Sequence, residues 1–124
     1  MQQIKVVHKG DLAAGDSTPG IVRERATDDE NAVVSRSRVG GGVVSAWHHH
    51  GRRRRYGYLV SGRLRLEYGP GGKEVAEVKP GDFFFIPPAC VHRDVNPDAE
   101  RELVVVNFLV GQGTPVVNVP GPQS

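Results

Sequence analysis

The chain has 124 residues, of which 38% are hydrophobic and 24% charged, a balance that fits one folded domain and argues against wholesale disorder. Its net charge is +2 and its pI about 8.9, with much of the basic character in Arg52-Arg53-Arg54-Arg55; no aromatic-interleaved basic face or recognition motif accompanies that run, so no nucleic-acid partner is expected. No apolar run approaches the roughly 20 residues of a membrane span, Met1-Gln2-Gln3-Ile4-Lys5 lacks a secretory apolar stretch, and the single Cys90 excludes an internal disulfide, so the expectation is a cytoplasmic protein with no membrane partner.

Glycine and proline, 16 and 9 residues, punctuate the chain too often for long helices, and no segment of ten residues carries apolar side chains at helical spacing. Short runs bounded by Gly, Pro, Asn or Asp recur instead. In chain order they predict strands over Ile4–Val7, Ile21–Ala26, Ala32–Val39, Val43–His50, Tyr56–Ser61, Arg63–Tyr68, Lys73–Val78, Asp82–Ile86, His92–Val95, Glu102–Val110 and Val116–Val119. Arg63–Tyr68 alternates cleanly, with Leu64, Leu66 and Tyr68 on one face, and the Gly69-Pro70-Gly71-Gly72 turn returns it as a hairpin with Lys73–Val78. Leu103–Val110 is apolar at nearly every position but Asn107, which predicts cover on both faces by a second sheet or another subunit. Phe83-Phe84-Phe85 reads the same way, and together they predict a homodimer. Asp28-Asp29-Glu30 reads as a solvated loop and residues 120–124 as a loose tail. About ten short strands in one unit over 1–124, without repeat or linker, predict an all-β sandwich or barrel.

The chemistry-bearing residues are histidines. In a strand over Val43–His50, alternation puts His48 and His50 on one face with Val44 and Ala46, and His49 on the other beside Trp47. Two imidazoles two residues apart can converge on one metal ion, although an H-x-H alone equally fits a polar sheet edge. A second segment, from Gly81 to Asn96, reads as strand, sharp proline turn and strand, with His92 just beyond the turn.

Together these segments resemble the two motifs of the cupin family. Gly42-x5-His48-x-His50, followed by Gly62, is similar to G-x5-H-x-H-x3–4-E-x6-G, and Gly81-x5-Pro87-x-Ala89-x2-His92-x3-Asn96 is similar to G-x5-P-x-G-x2-H-x3-N, with Ala89 replacing a glycine. The motif core covers about 42–96. The resemblance implies a small jelly-roll barrel of the cupin type, in which His48, His50 and His92 ligate one divalent metal ion. Imidazole ligands leave its identity open among Fe, Zn, Ni, Mn and Cu. The family's fourth ligand is a glutamate, and this sequence has Arg54 or Arg55 in that slot; counting back from Gly62 selects Arg55. At about 5 Å from a dication, with an effective dielectric of about 20, a guanidinium is repelled by about 7 kcal/mol. Arg55 must therefore turn to solvent, pair with an anion, or mark a site without metal.

Three functions follow. A three-histidine metal centre with open positions would serve a small-molecule enzyme, a dioxygenase or an isomerase, and its uncompensated charge would favour an anionic chelating substrate. Without metal, a cleft lined by Arg54 or Arg55 would bind a small anion as a sensor or carrier. A domain without a working pocket would be a scaffold. Tyr56, Tyr58 and Trp47 read as packing groups, Cys90 as a small buried hydrophobe, and the arginine quartet as a solvated loop near the barrel mouth. The carboxylates nearest the motifs, Glu67 and Asp94, receive no role from their spacing.

Overall fold

The chain closes into a barrel of two antiparallel sheets, seen in a computed structural model that describes residues 2–124. Its strands are β1 (Ala13–Ala14), β2 (Val22–Asp28), β3 (Ala32–Val39), β4 (His48–His49), β5 (Arg54–Ser61), β6 (Leu64–Tyr68), β7 (Glu74–Val78), β8 (Phe83–Ile86), β9 (His92–Val95), β10 (Leu103–Val110) and β11 (Val117–Asn118). The helical content among the described residues is two single 3₁₀ turns, Lys9–Asp11 and Pro70–Gly72. One sheet runs β1-β2-β3-β10-β5-β8 and the other β11-β4-β9-β6-β7. The fold is the all-β barrel expected from the strand pattern, of the jelly-roll type that the resemblance implies. No helix among the described residues is long and apolar enough to cross a membrane.

The interior is layered because inward positions on facing strands fall in register. Val39 pairs with Leu103, and Leu59 and Ser37 both flank Val105. With Leu64, Leu66 and Val78 these residues form an apolar core; Leu59, Leu64, Leu103, Val39 and Val105 have no exposed surface. One step along the same strands, Asn107 lies between Ser35 and Gly57 and the interior turns polar. Gly62, in left-handed conformation between β5 and β6, lets the turn pack on β10: a Cβ there would lie 2.7 Å from the Leu103 Cα.

Three strand expectations change. Ile4–Val7 is not a strand; Ile4 is 97% exposed, because β-prone residues without a partner ladder have nothing to pair with. Val43–His50 contracts to β4 plus one bridge from Val44 to Val95. Alternation slips between them, so Ser45 is buried and Val44 exposed although His48 and His50 face inward; Val44 therefore does not share the histidines' face. Finally, one chain covers β10 fully on its inner face only: Phe108 and Val110 are exposed.

The proline turn carries a local strain. Ala89 has φ 59°, the conformation for which the motif has glycine, and its N–H donates to the Gly51 carbonyl at 2.8 Å. A left-handed L-residue costs about 1–2 kcal/mol, offset in part by glycine's greater unfolded-state entropy. Ala89→Gly is therefore expected to stabilise the protein by about 0.5–1 kcal/mol. A thermal unfolding midpoint raised by a few degrees would bear this out, and an unchanged or lower one would count against it.

Candidate metal centre

Strand pairing brings the histidines together. His48 on β4 is the direct register partner of His92 on β9, and His50 follows just beyond β4. Their ring centroids are 4.3 Å (His48–His92), 5.1 Å (His50–His92) and 5.4 Å (His48–His50) apart, and all three side chains are buried. Each ring is oriented by a backbone carbonyl at Nδ1: Ala46 at 2.9 Å for His48, Pro115 at 3.0 Å for His50 and Cys90 at 2.9 Å for His92. A carbonyl only accepts, so each Nδ1 carries the proton and each Nε2 presents a lone pair. The three candidate ligand atoms lie within 4.8 Å of one another, and the Nε2 atoms of His48 and His50 are buried without a hydrogen-bond partner among the described residues. His49 has the opposite arrangement, its Nδ1 accepting from the Gly51 N–H at 3.0 Å.

Burial sets the charge state of the cluster. It pushes His48 down to about 4 and, with the nearby His48, His92 down to about 3, against the opposing attraction of Asp94. His50 is held well below the ordinary range, first by burial and then by the nearby His92 and Arg55. Neutral imidazoles with converging lone pairs are the donor set that late first-row divalent ions take. Orphaned, buried Nε2 atoms are otherwise costly. The residues fit a metal ion.

Arg55 enters the interior from β5 and is 3% exposed. Of the options open to it, it takes the anion, and the anion is Asp94 of the same chain. Nη2 donates to Asp94 Oδ2 at 3.0 Å and Nη1 to Oδ1 at 3.2 Å; Nε donates to Asn107 Oδ1 at 2.8 Å. Nη1 also donates to His92 Nε2 at 3.3 Å, and the guanidinium lies 5.0 Å from the Phe84 ring centre. Burial opposes ionisation of Asp94, yet Arg55 holds the carboxyl well below the usual carboxylate range. Asp94 Oδ1 is 3.7 Å from His92 Nε2 and 3.8 Å from His48 Nε2. Reasoning from spacing missed this residue, although alternation along β9 already puts positions 92 and 94 on one face.

The rest of the arginine quartet divides by strand parity. Arg54 points outward and is exposed, away from the cluster. Arg53 is not in a solvated loop: it is buried and donates to the carbonyls of Gly113 and Leu109. Tyr56 and Tyr58 face outward as expected, and Trp47 packs under the Arg93 guanidinium at 4.4 Å. Asn96 is structural, its amide donating to the carbonyls of Val39 and Arg101. The Cys90 thiol is half-buried, and burial pushes its pKa up; the carbonyl of Cys90, not its sulfur, serves the cluster.

A cleft of about 190 Å³ reaches His92 from outside, lined mainly by apolar groups including Leu66, Tyr68, Phe84, Ile86 and Cys90. Phe84 lies over Gly57, its register partner; a Cβ on Gly57 would fall 2.1 Å from the ring.

The cupin domain family model matches residues 36–110, more than half of the chain, from within β3 to the end of β10. The chain belongs to the cupin family. No curated protein matches the sequence. Among solved structures, this cupin is similar to the polyketide cyclase RemF from Streptomyces resistomycificus, with 23% identity, a TM-score of 0.75, and coverage of 94% of this chain and 86% of that one. It is also similar to a conserved protein with a double-stranded β-helix domain from Klebsiella pneumoniae, at 20% identity and TM-score 0.72, covering 96% and 98% of the two chains. A third is KdgF from Halomonas sp., at 24% identity and TM-score 0.66, covering 86% and 94%. These likenesses establish the fold.

Because the buried histidines of this cupin titrate below their unfolded value of about 6.5, the unfolded chain binds more protons than the folded one between about pH 3 and 6.5. Metal-free protein is therefore expected to be most stable above that window and to lose stability as the pH falls through it. Urea midpoints at pH 7.5 and pH 5 check this; equal midpoints would contradict buried neutral imidazoles.

Proposed function

We propose that this cupin is a metal-dependent small-molecule enzyme of the oxygenase or isomerase type, in which His48, His50 and His92 hold one divalent ion. The observation that carries the reading is the convergence of three buried Nε2 lone pairs, two of them without a hydrogen-bond partner among the described residues. A divalent ion bound there would polarise an oxygen ligand of the substrate, and a redox-active ion would also exchange electrons. The chain's own contribution is position. Carbonyls of residues 46, 90 and 115 fix the rings, while the largely apolar walls of the 190 Å³ cleft shape the space beside His92. Three neutral ligands leave the ion's charge uncompensated and the Arg55–Asp94 pair is neutral as a unit, which favours an anionic, chelating oxygen on the substrate. The apolar cleft favours an apolar body behind that oxygen. One fold relative is a polyketide cyclase.

The competing reading is a binding protein for a small anion, without metal or turnover. It is favoured by the Nη1 of Arg55, which already donates to one of the metal-facing lone pairs. It is disfavoured by the engagement of all three nitrogens of that guanidinium with Asp94 and Asn107, and by the outward course of Arg54. Elemental analysis of untagged protein separates the two, read beside an oxygen-uptake screen. About one metal ion per chain is expected, lost in His92→Ala with an unchanged far-UV spectrum. Unchanged metal content in that variant would remove His92 from the site. Metal-free protein that is stabilised thermally by small carboxylates or phosphates would favour the binder. The one cysteine, free and half-buried, suits a reducing cytoplasm.

We further propose a homodimer through the outer face of β10, β5 and β8. There Phe108, Tyr56 and Phe85 form one cross-strand row and Val106, Tyr58 and Phe83 the next, with Phe83 81% exposed. Apolar patches of this kind mark interaction surfaces. Sedimentation equilibrium at micromolar protein is expected to give twice the chain mass, falling toward the monomer in Phe83→Glu; a monomer at the outset would refute the dimer.

A further inference from the structure

The carboxylate that motif 1 lacks has a counterpart on the opposite wall. Position 55 holds an arginine where the motif has glutamate, and Arg55 grips Asp94 through both oxygens. Asp94 is 1% exposed, two residues beyond His92 on the same face of β9. Its Oδ1 stands 3.7 Å and 3.8 Å from two of the three histidine ligand atoms. Two donors that share a tetrahedral ion at about 2.1 Å each are about 3.4 Å apart. Oδ1 is thus within a few tenths of an ångström of a shared coordination edge with His48 and with His92, while the ligand atoms within 4.8 Å of one another are those of the three histidines without Asp94, so that on binding an ion Oδ1 has to close toward His50. Each carboxylate oxygen has two lone pairs, so the bond from Nη1 leaves Oδ1 one to give.

We infer that Asp94 is the protein carboxylate ligand of this centre: its Oδ1 joins His48, His50 and His92, a charge-swapped replacement for the missing motif-1 glutamate. The inference rests on the three-histidine reading above. It also accounts for an arginine so near a dication, because the guanidinium is neutralised by a group that belongs to the metal set. Nη1 spans the two acceptors, His92 Nε2 and Asp94 Oδ1, that the ion would take. The ion therefore competes with Nη1 for His92, and Nη2 keeps its hold on Oδ2.

Cobalt(II) titration with absorption spectroscopy tests this on the full chain, without any assay of turnover. Asp94→Asn alone would leave Arg55 uncompensated, so the informative variant removes both charges: Arg55→Met with Asp94→Leu. If Asp94 is a ligand, the double variant binds cobalt at least tenfold more weakly than wild type, and its d–d bands change in position and intensity. Wild-type affinity and bands in the double variant would show that Asp94 merely neutralises Arg55, overturning this inference while the three-histidine site stands. Wild-type protein that binds no cobalt would overturn both. Should the double variant not fold, a crystal structure of cobalt-loaded wild type decides: an Oδ1–Co distance of about 2.0–2.2 Å supports the assignment, and one beyond about 3 Å refutes it.

Discussion

The interior of this barrel depends on one buried ion pair. Taking a guanidinium and a carboxylate out of water costs several kcal/mol per ion, and attraction offsets this only where the geometry is good and the remaining donors and acceptors are satisfied. Arg55 and Asp94 meet both conditions. The pair is bidentate, the spare Nε of Arg55 bonds Asn107, and Asn107 in turn donates to the hydroxyl of Ser37. The backbone N–H of Asp94 donates to Ser45 Oγ. This chain of bonds crosses from β9 through β5 and β10 to β3 and so ties the two sheets together at the level of the histidines. Networks of this kind rigidify when complete. A rigid polar layer is what three imidazoles need if their lone pairs are to stay convergent without an ion.

The apolar core below supplies the other half of that rigidity. Val39, Leu59, Leu103 and Val105 fill one end of the barrel completely, while the same strands, two to four residues on, turn Ser35, Gly57 and Asn107 inward. A single strand thus contributes both to stability and to the site, with strand parity keeping the two roles on one face. Gly57 shows how finely the boundary is drawn. Its missing side chain makes room for Phe84, which both roofs the Arg55 guanidinium and walls the apolar cleft.

Much of this was legible in the sequence. Turn residues and alternation located most strands, and the two motif spacings picked out the three histidines that the fold gathers. What escaped was what depends on partners rather than on pattern. Ile4–Val7 has the composition of a strand and no ladder to join. The slip between Ser45 and His48 arises because the chain leaves the ladder between Val44 and β4, and no periodicity announces it. The arginine run looked like solvated charge because arginine usually is. Yet odd positions 53 and 55 turn inward and even positions 52 and 54 outward, and each inward one finds buried acceptors. Asp94 was within reach of the same parity argument that paired His48 with His50. Its importance comes from Arg55 lying across the barrel, a contact between segments about forty residues apart.

The strained turn at Ala89 belongs to the same design. The Ala89 N–H donates to the Gly51 carbonyl, one residue past His50, and the next residue, Cys90, offers the carbonyl that orients His92. One left-handed residue therefore couples the supports of two imidazoles that come from different segments of the chain. Strain of this kind persists only where surrounding contacts over-determine the backbone. Here those contacts are Pro87 and Pro88 before the turn, the bond to Gly51 within it, and the β9 ladder immediately after it. Held from three directions, the turn sets His92 against His48 and His50 more firmly than a free loop would. It also forms the rim of the cleft, through Pro87 and Cys90. Shape at the mouth and ring orientation at the centre are thereby fixed by the same four residues.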